Sequence, residues 1–160
     1  MKILKRFLVD YITNTSAISD AISLNENNFS DRNIYDVADF NSHLQFKKAQ
    51  YQVQIFSTPS NFIIPEHKHP NVDSFEIYLS GDIDFSLDGS WLSNWDIKDH
   101  TFIDDLFVVQ VEHDAIHGAI FGEGGGRFMS VQHWINEVKP SCVGLDYDGL
   151  GVSTKQSEVD

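Results

Sequence analysis

Cysteine is almost missing from this chain. Cys142 stands alone, which excludes an internal disulfide, favours a reducing compartment and leaves a nucleophilic thiol without a nameable partner. Its expected role is that of a small buried apolar residue. Basic side chains are also scarce, with 11 Lys and Arg against 24 Asp and Glu, a formal charge of −13. Such a field repels phosphate backbones and anionic lipid, so neither nucleic acid nor a membrane surface is expected as a partner, and solubility is the simplest use of the acidity. Long apolar runs are absent too. Ile3, Leu4, Phe7 and Leu8 among residues 1–10 fall short of a signal-peptide core or a membrane span, so a cytoplasmic protein is expected.

What the chain does have is material for one core: 41% hydrophobic residues, including 12 Phe, in 160 residues. Ile3, Phe7, Leu8, Tyr11 and Ile12 recur at helical spacing and predict an amphipathic helix over 3–13. Ser16 is placed to cap a second short helix carrying Ala17, Ile18, Ala21 and Ile22. Both apolar faces need cover, from the rest of the chain or from a second subunit. Residues 25–44 read as an irregular polar connection.

From about residue 45 the period changes to two. Tyr51, Val53 and Ile55 alternate with Gln50, Gln52 and Gln54, the pattern of a strand with one face buried. Further strands are expected at 60–64, at 75–79 and 83–87 on either side of Ser80-Gly81, and at 107–111. Segments 119–121 and 128–135 suit a hairpin joined by Gly122-Glu123-Gly124-Gly125-Gly126. No helical pattern follows that glycine run and no Lys-Ser/Thr pair closes it, so a turn is preferred to a phosphate cradle. Residues 90–105, with Trp91 and Trp95, read as a long loop or lid. The organisation is therefore an N-terminal helical and irregular extension (1–44), a β-barrel (45–140) and a flexible C-terminal tail (141–160). The fold class is all-β, since closed barrels and jelly rolls both hide their strand edges.

The chemistry concentrates in histidine. His67 and His69 are two apart on an expected strand and point the same way. His117 follows the 107–111 strand. Three imidazoles from separate stretches leave positions open for water or substrate on a divalent Fe, Zn, Mn or Ni ion. At this point the chain resembles a cupin, a small metal-binding jelly-roll barrel, over about residues 48–136. Pro65-Glu66-His67-Lys68-His69 matches the histidine pair of that family's first motif, Leu79-Ser80-Gly81-Asp82-Ile83 its glycine turn, and His117 the histidine of its second motif. Glu112 and Asp114 stand where that second motif has proline and glycine. The resemblance implies a metal held by His67, His69, His117 and a carboxylate. Three positions compete for that carboxylate place. Ser74 occupies the register position, Asp73 lies beside it, and Glu76 lies two further on; the glycine-anchored register favours Glu76.

His133 alternates with Met129, Val131 and Ile135, which points it into the barrel as an acid or base near the pocket; hydrogen bonding inside the core is the competing role. Tyr78 shares the Glu76 face and is a second catalytic candidate. His113 is expected at the rim, His43 and His100 in solvent. Trp91, Trp95 and Trp134 suit packing better than ligand stacking. Arg127 suits the surface better than a substrate carboxylate. The resemblance implies a metal-dependent dioxygenase, isomerase or lyase acting on a small molecule. Two other readings stay open: a non-enzymatic ligand-binding or sensor cupin, and an assembly protein with a vestigial site. The helix faces and the family's habit of pairing through sheets imply a homodimer.

Overall fold

Two long bent strands organise the molecule, each passing from one sheet into the other. The computed structural model describes residues 1–29, 31–32, 40–93, 106–138, 140–144 and 156–158, with 31–32, 93 and 156–158 described by their backbone alone. Helices α1 (Lys2–Asn14) and α2 (Ala17–Ser23) lead into strands β1 (Asp31–Arg32), β2 (Asn41–Lys48), β3 (Tyr51–Thr58) and β4 (Ile63–Lys68). Then come β5 (Val72–Leu87), β6 (Ser90–Ser93), β7 (Val108–Val111), β8 (His117–Trp134), β9 (Ser141–Gly144) and β10 (Gln156–Glu158). The first half of β5 and the second half of β8 join β1, β2, β3 and β7 in one antiparallel sheet. Their other halves join β4, β6, β9 and β10 in the second. This is a jelly roll with the two sheets face to face.

Several expectations change. Ser80-Gly81 does not end a strand, and the 122–126 glycine run is not a hairpin turn. Both lie inside continuous strands, where one residue of β5, Asp82, stands opposite four of β8, Gly122 to Gly125. That wide bulge bends both strands over the corner between sheets. Gly81 is required there: its φ is +96°, and an added Cβ would lie 2.4 Å from the Gly125 carbonyl oxygen. The expected 25–44 connection contains the start of β2, and the region beyond 140 contributes β9, whose Val143 and Gly144 pair with Lys68 and His67. Of the expected 90–105 loop, residues 90–93 form β6 and residues 94–105, with Trp95 and His100, lie outside the described set.

The helices cover the chain's own sheet. Leu4, Leu8, Ala17 and Ala21, all essentially inaccessible, pack on Val53, Ile55, Phe75, Ile77, Met129 and Val131. Phe7 stacks on Tyr51 with ring centroids 4.5 Å apart. Burying each large aliphatic side chain stabilises by about 1.5–3 kcal/mol, so this layer is a main core rather than an appendage. Arg127 locks it from below, donating to the carbonyls of Ala21, Ile22 and Leu24 at 2.9, 2.9 and 3.0 Å and pairing with Glu26. A guanidinium beneath the last turn of α2 satisfies carbonyls that a helix end leaves open and suits the negative end of its dipole. Arg127 is thus a buried structural residue, not the surface or substrate-binding group the sequence suggested. No helix among the described residues is long and apolar enough to cross a membrane.

Candidate metal centre

The apolar face of β3, β5 and β8 turns outward to the helices, so the alternate residues of those strands face the space between the sheets. Ser74 and Glu76 of β5 and Ser130 of β8 line a cavity there with Phe56 and Phe128. From the opposite sheet come His67, His69 and His117, with Ile64, Phe85 and Ala119. The cavity is about 50 Å³, room for an ion and a ligand of a few atoms.

Register brings the imidazoles together. His67 on β4 is the direct cross-strand partner of His117 on β8, and His69 lies two residues along on the same side. Ring centroids are 4.3 Å apart for His67 and His117, 4.8 Å for His67 and His69, and 5.2 Å for His69 and His117. One ring nitrogen from each lies within 4.8 Å of the other two. All three residues are buried. Each Nδ1 is tied to a backbone carbonyl: His67 to Pro65 at 2.7 Å, His69 to Ser141 at 3.0 Å, His117 to Ala115 at 2.9 Å. A carbonyl only accepts, so each Nδ1 carries the proton and donates it, which fixes the tautomer and leaves the Nε2 lone pair as the ligand.

The electrostatics agree. Burial holds His67 well below the ordinary imidazole range, helped by its two neighbours. Burial brings His69 down to about 3, with His117 adding to the effect, and His117 down to about 4. At neutral pH this is a set of three neutral imidazoles, the donor chemistry of a divalent transition ion, and the residues fit such an ion.

No protein-family model matches the sequence, and no curated protein is similar to it. Solved structures are similar in shape. KdgF from Halomonas sp. superposes with a TM-score of 0.52 at 10% identity, over 68% of this chain and 91% of its own. The DMSP lyase DddQ from Ruegeria pomeroyi gives 0.50 at 16% identity over 79% of this chain, which spans only 58% of DddQ. A conserved double-stranded β-helix protein from Klebsiella pneumoniae gives 0.49 at 12% identity, over 84% and 93%. The chain has the cupin fold. At such identities the likeness establishes architecture and leaves chemistry to the site.

Within this fold Glu76 faces the histidines across the cavity but stands outside the three-nitrogen cluster. Its Oε1 accepts from Ser74 Oγ at 2.8 Å and Ser130 Oγ at 3.0 Å. Burial pushes its carboxyl up to about 7, against those two hydroxyls, which favour the ion. Asp73 points the other way, accepting from the backbone N–H of His113 at 2.8 Å and bonding its Nδ1 at 2.9 Å. That bond raises the half-exposed His113 imidazole above its ordinary value.

The two catalytic candidates do not line the cavity. His133 lies on the helix-covered face, its ring 5.4 Å from that of Tyr51. Its alternation with Met129 and Val131 is real, but that stripe faces the helices and not the barrel interior. Tyr78 shares the Glu76 parity, yet its hydroxyl donates to the Gly81 carbonyl at 2.6 Å. His43 lies on β2, its Nδ1 3.3 Å from the Asn28 carbonyl, and is only partly solvated. Trp91 is exposed, whereas Trp134 packs with Val72 and the buried Cys142 under the Lys47 ammonium. Ser130 and Gln132 were missed: read alone, polar residues between apolar ones look solvent-facing.

Proposed function

We propose that this cupin holds one divalent transition metal on His67, His69 and His117 and acts on a small molecule bound between that ion and Glu76. The three Nδ1-to-carbonyl bonds carry this reading, because they aim three neutral lone pairs from two strands at one cavity. The ion would supply Lewis acidity toward a substrate oxygen. The chain's own contribution is proton handling. Glu76 sits buried on the facing wall with its Oε1 steadied by Ser74 and Ser130, placed to take a proton from a bound molecule or return one. This favours a lyase or isomerase over a dioxygenase within the classes the resemblance implies. DddQ, one of the similar folds, is itself a lyase.

Elemental analysis of protein purified without added metal is the test, repeated on His67→Ala and His117→Ala. About one divalent ion per wild-type chain, falling at least tenfold in both variants, is the expected result. Metal content that is far below one per chain and indifferent to these substitutions would leave a metal-free binding protein as the better reading.

A further inference from the structure

The cavity that holds the histidines has two unlike ends, and the register along β8 sets them. Counted from the glycine corner, His117 lies five residues before Gly122 and Ser130 five beyond Gly125. Ala119 and Phe128 lie three residues from the same corner, one on either side. All four line the cavity, so folding β8 over its corner brings them to two levels. At the level of His117 and Ser130, the cross-strand partners are His67 on β4 and Glu76 on β5. At the level nearer the corner, Ala119 has Ile64 and Phe85 as partners, and Phe128 has Phe56. Phe40 packs edge-on against Phe56, ring centroids 5.1 Å apart. These six apolar residues are buried, and all of them line the cavity. Most of the surface bounding it is carbon, and its polar side chains are gathered at the histidine end.

A core normally packs such residues until few voids larger than a water are left, because an apolar space forfeits dispersion contacts and holds water poorly. Here six apolar side chains leave space open beside a polar site, within one continuous cavity of about 50 Å³. No Lys or Arg lines that cavity, and an ionised Glu76 on its wall would repel a buried anion. We propose that the corner end is a hydrocarbon subsite and that the substrate is a small uncharged molecule, with one hydroxyl or carbonyl oxygen for the ion and a short apolar chain held between Ile64, Ala119 and Phe85 on one side and Phe56 and Phe128 on the other. This rests on the reading of the same cavity as a metal and small-molecule site, and it names the substrate class. Two residues of strand separate the levels by about 7 Å, the reach of a short chain from an ion-bound oxygen. Each CH₂ that enters the corner end leaves water and tightens binding about fourfold, whereas a second polar group placed there loses its hydration without gaining a partner.

The experiment uses the full chain, zinc-loaded and metal-free, and follows methyl NMR signals during titration with the straight-chain alcohols from ethanol to 1-hexanol. The controls are butyrate and 1,3-propanediol, which matches 1-butanol in size but ends in a second hydroxyl. Affinity is expected to rise about fourfold per carbon up to a best length, with the largest shifts at the Ile64 and Ala119 methyls. In the metal-free protein 1-butanol is expected to bind at least tenfold more tightly than either control. Ala119→Leu, which fills the corner end, is expected to shorten the best length, and Phe128→Leu, which widens it, to lengthen it, with zinc stoichiometry unchanged in both. Binding indifferent to chain length, a control that binds as well as 1-butanol, or a best length that ignores both substitutions would overturn the proposal. Should Ala119→Leu not fold, an unchanged best length in Phe128→Leu overturns it alone. Zinc bound without any length preference keeps the metal reading and removes the subsite; a length preference without zinc does the reverse.

Discussion

Replacing Glu76 by Gln removes the ionisable proton from the cavity wall while keeping its shape. Burial raises the carboxyl from 4.5 to about 7 in the folded chain. The folded state therefore grips its proton more tightly than the unfolded state does. The stability this contributes is fully present below pH 4.5 and is lost as pH rises to about 7. At about 1.4 kcal/mol per pH unit, that window amounts to about 3 kcal/mol. A neutral glutamine escapes the loss. Glu76→Gln should leave the metal-free protein nearly unchanged at pH 4 and stabilise it by about 3 kcal/mol at pH 8, a rise in Tm of roughly 6–12 °C for a chain of this length. Urea unfolding of both proteins at pH 4, 6 and 8, after exhaustive chelation, reads the difference directly. Zinc should narrow the gap at pH 8, because a nearby cation favours the ionised carboxylate. A gain equal at all three pH values, or a variant less stable than wild type at pH 8, would show that Ser74 and Ser130 hold the carboxylate as an ion and that the proton-handling role is misplaced.

Three further outcomes are expected. With His69 brought down to about 3 and His117 to about 4, the unfolded state takes up protons first, so metal-free protein should lose stability steadily as pH falls from 6.5 toward 4; urea midpoints across that range should flatten in His69→Gln/His117→Gln. Arg127→Met strips two carbonyls of α2 and that of Leu24 just beyond it of their donor and should cost about 3 kcal/mol, with amide exchange at residues 21–24 rising ahead of the sheet; uniform exchange would contradict the capping role. Gly81→Ala should cost at least about 2 kcal/mol by chemical denaturation, because its Cβ meets backbone at 2.4 and 2.5 Å, whereas Gly124→Ala, with nothing within 4 Å, should be nearly silent.

The histidine site was legible in the sequence because its signal is local. Residues 67 and 69 share a face at period two, and only the pairing of His117 with His67 needed the sheet. The corner strands were not legible for a matching reason. A glycine run between apolar segments has the same composition whether it turns a hairpin or bulges inside a strand. What decides is that four residues of β8 face one of β5, a fact about the partner strand. Arg127 was hidden likewise, since its partners lie more than 100 positions earlier in the chain.

Alternation reveals that a strand has two unlike faces, but it does not say which one is inside. Assigning the Met129–Val131–His133 stripe to the barrel interior assumed that a barrel has only one apolar destination. Here there are two, and α1 and α2 supply the second. Because the helices bury Val53, Phe75, Ile77 and Met129 on the outside, that sheet has a core on its outer face as well, and its inner face, which packs Phe56, Val109, Val111 and Phe128 against the second sheet, need not be apolar throughout. It can then afford Ser74, Glu76, Ser130, Gln132, Gln52 and Gln54, all buried. A sheet that had to stabilise itself through its inner face alone would lose more to such a wall than its packing returned. On this argument the N-terminal helices belong to the site's chemistry as much as to the fold, since their cover is what permits a polar wall opposite the three imidazoles.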